Sequence, residues 1–175
     1  MKTLRVGIVL ILVLAGASCT IRPHEPWINR SAAAQGRLAT VRAYYDALNR
    51  RDLDALLGCF VERGSYTDPT LEEPLTGDEI ADYALSMYSA FPDVEFEVVH
   101  YGESGDGRAV AQWIMRGTHT GTTEAGAAPT GEKFEVSGMA FFALEGVKIA
   151  SVEVFYDQLA YLTQLGLVAA SPAAS

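Results

Sequence analysis

The stretch Ala109-Val110-Ala111-Gln112-Trp113-Ile114-Met115-Arg116-Gly117-Thr118-His119 decides the fold class. Its odd positions carry Ala109, Ala111, Trp113, Met115, Gly117 and His119, while its even positions include Gln112, Arg116 and Thr118. Side chains alternate across an extended strand, so Trp113, Met115 and His119 share the more apolar face. One apolar face and one polar face mark a strand that is buried on one side only.

Working outward, the neighbouring segments read in the same way. Residues 94–101 form a long strand, and a turn with Gly-Asp-Gly at 105–107 leads into 109–118. A loop rich in Gly, Thr, Ala and Pro covers 120–132, over the mouth of whatever the sheet encloses. Residues 134–144 and 148–156 then pair across Glu145-Gly146-Val147. Upstream, Leu38, Val41, Tyr45 and Leu48 have helical spacing within 31–50, with Ser31 as a possible cap. A short helix is expected from 53 to about 60, capped by Asp52 and broken by Gly64. An extended segment at 65–67 ends at Pro69, and a loop follows at 70–76. Ile80, Tyr83, Ala84, Met87 and Phe91 define a helix over 77–91 that Pro92 stops. A last short helix runs over 158–165 and ends at Gly166. Helices followed by a meander of long antiparallel strands make the fold α+β.

The two ends differ in character. Lys2 and Arg5 precede an apolar run over 6–14, and small residues 15–18 precede Cys19. The run is short for a membrane span and reads as an export signal. Small residues before a cysteine resemble a bacterial lipoprotein site, which implies lipid on Cys19 and a membrane-anchored, exported protein. Gly16 stands where such sites usually carry Leu. The alternative is an ordinary signal peptide and a secreted or periplasmic protein. The division is therefore a signal peptide at 1–18, a lipidation site and tether at 19–31, one domain at 32–168 and a low-complexity tail at 169–175.

Composition narrows the partners. The chain has 22 acidic and 13 basic residues, and losing Lys2 and Arg5 with the signal widens the imbalance. Such a surface repels phosphate, so nucleic acid is not an expected partner. With Cys19 lipidated, Cys59 has no disulfide partner, and its apolar surroundings make it a small buried hydrophobe. His24, His100 and His119 have no metal-ligand spacing, and no phosphate-binding or dinucleotide fingerprint is present. No metal or cofactor is expected.

Several short motifs follow one another in order. They are Tyr66-Thr67-Asp68-Pro69, Phe91-Pro92-Asp93, Trp113 leading into Gly117-Thr118-His119-Thr120-Gly121, Pro129-Thr130-Gly131, Tyr156-Asp157 and Gln164-Leu165-Gly166. Their order and spacing resemble the SnoaL-like polyketide cyclases of the NTF2-like superfamily, over about residues 35–168. The resemblance implies a cone: a curved antiparallel sheet wrapped around a long N-terminal helix, with a central pocket. It implies aldol-type cyclisation, or a related isomerisation or hydrolysis, of a small hydrophobic carbonyl compound without a cofactor. It also implies a homodimer through the outer face of the sheet.

The resemblance makes Asp157 the acid/base and His119 its partner in catalysis. Trp113, Met115, Tyr66, Asp68, Phe91 and Phe155 are the expected substrate-binding residues. Each also has a plainer reading. Trp113 would be ordinary core, His119 a hydrogen-bonded strand end, and Asp157 the N-cap of the last helix. A non-catalytic ligand-binding protein and a partner-binding lipoprotein remain alternatives, because fold alone does not fix function.

Overall fold

The computed structural model describes residues 32–103 and 106–169. The expected signal peptide, Cys19, the tether, Ser31 and the tail beyond Ala169 lie outside the described residues.

The elements are α1 (Ala32–Arg50), α2 (Leu53–Gly58), β1 (Phe60–Thr67), β2 (Leu75–Thr76), α3 (Asp78–Ala90), β3 (Glu95–Glu103), β4 (Arg108–Thr118), β5 (Lys133–Glu145), β6 (Lys148–Tyr156) and α4 (Gln158–Gln164). One six-stranded sheet has the order β2-β1-β6-β5-β4-β3. The meander β3 to β6 is antiparallel, as expected, while β1 joins the far side of β6 in parallel. Register shifts between Val98 and His100 and between Ala143 and Leu144 interrupt the ladders. Such irregularities bend and twist strands, which lets the sheet curl around the helices.

Alternation in β4 and β5 places the core. Ala109, Ala111, Trp113 and Met115 are buried along β4, and Phe134, Val136, Ala140 and Phe142 along β5. Helix α1 lays Val41, Tyr44, Tyr45 and Leu48 into this concave face. Phe142 meets both tyrosine rings edge-on, at 5.5 and 6.2 Å between centroids. The Tyr88 hydroxyl donates to the Leu48 carbonyl (2.9 Å) and ties α3 to α1. Asn49 exchanges two hydrogen bonds with the Phe96 backbone, joining α1 to β3. Arg37 pairs with the buried Glu103 at the other end of the same two elements.

Three boundaries differ from the sequence reading. Helix α2 stops at Gly58, and β1 begins at Phe60 rather than at residue 65. Gly64 does not break a helix. It sits inside β1, where an added Cβ would lie 2.8 Å from the Phe60 ring and 3.0 Å from the Ile149 carbonyl. The expected loop at 70–76 contains β2, a two-residue edge strand paired with β1. Asp52 caps α2 as expected, accepting from the Ala55 N–H at 3.0 Å.

Candidate active site

The concave sheet face, α1, α3 and α4 enclose a cavity of about 470 Å³. That is the size of a small-molecule site. Trp113 and Met115 form part of its floor, Tyr83 and Met87 one wall, and Tyr161 and Leu165 another. Trp113 is 2% exposed, and its ring lies against Gly138, its partner on β5. A Cβ at Gly138 would come within 2.3 Å of the indole, so glycine makes room for the ring. The expectation that Trp113 and Met115 face the pocket agrees with this placement.

Asp68 is the charged residue of the cavity wall that is buried, at 8% exposure. Its position follows from local sequence. Pro69 ends β1, and the Asp68 carboxylate then folds the chain back on itself. Oδ1 accepts from the Thr70 N–H (2.8 Å) and hydroxyl (2.7 Å). Oδ2 accepts from Tyr66 (3.0 Å) and Tyr83 (2.7 Å). Four donors compensate a buried anion for the water it has lost.

The field of this carboxylate reaches the surrounding phenols. Burial pushes Tyr83, Tyr156 and Tyr161 well above the ordinary tyrosine value, and the Asp68 charge is the next cause for each. Tyr66 and Tyr44 are raised first by burial, with Asp68 also contributing. Both protons of Tyr66 and Tyr83 are directed at Asp68. Tyr44, Tyr156 and Tyr161 line the same cavity, and their hydroxyls have no hydrogen-bond partner among the described residues. They are free to donate to a ligand oxygen.

Tyr66, Asp68, Phe91, Trp113 and Met115 therefore meet at one cavity, and three other expected residues do not. Asp157 is exposed and caps α4, accepting from the Ala160 N–H at 2.8 Å. The strand ends at Tyr156 and the chain turns into α4, and the odd position of Asp157 continues the outward parity of Phe155, so the helix-cap reading holds. Phe155 is 52% exposed and packs on Phe141 at 5.8 Å, on the convex face of the sheet. Its odd position in β6 is opposite in parity to the buried Val152 and Val154.

His119 is on the expected side but outside the cavity lining. The chain turns after Thr118, and 119–131 folds back so that the imidazole is fully buried behind Phe91, 5.4 Å between rings. Its Nδ1 lies 3.1 Å from the Thr130 hydroxyl, while Nε2 has no partner. The loop it anchors does cover the cavity mouth: Thr123, Glu124 and Ala127 contribute to the lining. It is pinned to α3, because the N–H groups of Thr120 and Gly121 both donate to the Ala90 carbonyl.

Tyr44, Tyr83, Tyr156 and Tyr161 carry no local sequence signature as a polar set. The available signal was tyrosine on the inward face of α1, α3, β6 and α4, where Leu or Phe would serve packing equally well.

Comparison with known proteins agrees with this architecture. A model of the SnoaL-like domain matches residues 41–152. No curated protein matches the chain. Among solved structures, a proposed SnoaL-like polyketide cyclase from Jannaschia sp. CCS1 superposes with a TM-score of 0.72 at 19% identity, covering 81% of this chain and 99% of that one. A proposed polyketide cyclase from Xanthomonas campestris pv. campestris gives 0.69 at 23% identity, covering 77% and 99%. AclR, a proposed hydroxylase from Streptomyces galilaeus, gives 0.68 at 18% identity, covering 80% and 91%. At these identities the likeness is one of fold.

Proposed function

Because the chain belongs to the SnoaL-like domain family, we propose that it catalyses cofactor-independent proton transfer on a small hydrophobic carbonyl compound, with Asp68 as the acid/base. The observation that carries this reading is the placement of Asp68: one buried carboxylate at a cavity walled by aromatic rings, with phenols beside it. It replaces the assignment of that role to Asp157.

In this reaction Asp68 takes a proton from the carbon next to a carbonyl. The electron pair left behind spreads onto the carbonyl oxygen as an enolate. Tyr44, Tyr156 or Tyr161 donates a hydrogen bond to that oxygen. The enolate carbon then attacks a second carbonyl of the same molecule, forming the new C–C bond, and the resulting alkoxide takes the proton back from Asp68, which regenerates the carboxylate. In an isomerisation the proton returns instead to a different carbon. A general base and a positioned donor contribute most where the substrate is held near its reacting geometry.

A second reading rests on the same four hydrogen bonds. With both oxygens of Asp68 already accepting from the protein, the carboxylate serves as a brace, and the cavity only binds its ligand. Incubation of the full-length protein with 2-tetralone in D₂O separates the two. Deuterium incorporation at the carbon next to the carbonyl, above the buffer rate, supports catalysis. Saturable binding with no such incorporation supports the brace.

Two further parts of the proposal concern where the domain works. The 1–18 signal and Cys19 support export and lipid anchoring; absence of labelled palmitate from wild-type protein expressed in a bacterial host would reject the anchor. Met139, Phe141 and Phe155 leave an apolar strip on the convex face, 42–52% exposed, which supports a homodimer. A monomeric mass by light scattering at micromolar concentration would reject it.

A further inference from the structure

The wall of the cavity has an unusual charge balance. Among the described residues it includes the carboxylates of Asp68, Glu72 and Glu124 and no Lys, Arg or His side chain. Glu72 lies on the loop that follows Asp68, and Glu124 lies on the 119–132 loop. Both are exposed, so they stand at the mouth while Asp68 lies deeper. The Ser86 hydroxyl on α3 approaches Glu124 Oε2 at 3.4 Å, which places this glutamate beside the α3 wall.

Two further observations point to a ligand between these groups. Tyr44 is only 4% exposed, yet it lines the cavity and its hydroxyl is unpartnered among the described residues. The rings of Tyr66 and Tyr83 lie 5.7 Å apart next to Asp68, and those of Tyr156 and Tyr161, in the same lining, lie 5.8 Å apart. Aromatic faces attract cations, and the attraction grows as water is excluded. An anionic ligand would meet three carboxylates with no compensating cation among the described lining residues, which disfavours it electrostatically.

We propose that the natural ligand is a cationic one: a flat carbonyl compound bearing a protonated amine, with its carbonyl end toward Asp68 and its ammonium held at the mouth by Glu72 and Glu124. This deepens the reading of the cavity as a carbonyl-binding site and rests on it.

The test is calorimetric titration of the full-length protein with three matched probes: 2-(aminomethyl)naphthalene, 2-naphthalenemethanol and 2-naphthoate. The expected order is amine over alcohol by about tenfold, with the carboxylate weakest. The Glu72→Gln/Glu124→Gln variant is expected to lose most of the amine's advantage and to bind the alcohol as before. Equal affinity for amine and alcohol, or a carboxylate that binds as well as either, would overturn the cationic assignment and leave the cavity reading standing. An amine preference unchanged in the double variant would overturn the role of the two glutamates. Failure of all three probes to bind would overturn the cavity reading, and this inference with it.

Discussion

The Tyr83 hydroxyl on α3 donates to Oδ2 of Asp68 at 2.7 Å, which links the α3 wall of the cavity to the loop that follows β1. Tyr66 donates to the same oxygen from β1. The carboxylate is thus the point at which β1, the 68–76 loop and α3 are joined. Whatever the domain does to a ligand, this junction fixes the polar end of the cavity.

Gly138→Ala is expected to disturb the opposite end. The added methyl group would meet the Trp113 indole at 2.3 Å and the Phe155 carbonyl at 2.8 Å. The ring must shift into the cavity, at a cost of about 1–3 kcal/mol for an overpacked core. Thermal unfolding should show a lowered Tm, and binding of a naphthalene probe should weaken. An unchanged Tm would mean that the sheet relaxes without moving Trp113.

Alkaline pH should reveal the buried phenols as a group. Seven of the eight tyrosines are held above their ordinary value, with burial as the leading cause; Tyr88 is pushed up to about 12. A phenol raised on folding stabilises the native state below its unfolded value, near 10. That stability is lost as pH rises from there toward the folded value. Phenolate absorbance should therefore appear mainly in one steep step above pH 10, together with loss of circular dichroism. A smooth titration centred near pH 10 with the fold intact would show that the tyrosines are open to water.

Asp157→Ala is expected to act on stability alone. The variant loses the cap of α4, which costs about 1 kcal/mol. Asp157→Asn, which can still accept from the Ala160 N–H, should retain most of it. Neither should alter proton transfer. A large loss of activity with an unchanged Tm would restore Asp157 as the catalytic group.

Much of the architecture is legible in the sequence, and the reason is periodicity. Trp113, Met115, Phe134 and Phe142 alternate with less buried, mostly polar positions, so their strands and inward faces can be read directly. Turn residues and Asp52 mark ends in the same local way. The parallel pairing of β1 with β6 is not legible, because it joins residues about ninety positions apart and has no local signature. The site is legible only in part, for a similar reason. Asp157 and Asp68 both follow a strand that ends in Tyr or Thr, and both have a cap-like partner two or three residues on. What distinguishes them is Tyr83, which reaches Asp68 from another element and encloses it. His119 shows the limit of parity: it has the face right, but parity ends with the strand, and the loop that buries the imidazole is set by tertiary contacts with α3.

The central claim is that Asp68 moves the proton. The measurement that tests it most directly is the rate of hydrogen–deuterium exchange next to the carbonyl of bound 2-tetralone, followed by NMR, for wild type, Asp68→Asn and Asp157→Asn. Asparagine keeps the shape of Asp68 and an acceptor oxygen but is a far poorer base. The account predicts that wild type and Asp157→Asn accelerate exchange equally, and that Asp68→Asn loses it by about a hundredfold or more while still binding the ketone. Exchange that survives in Asp68→Asn, with binding intact, would contradict it.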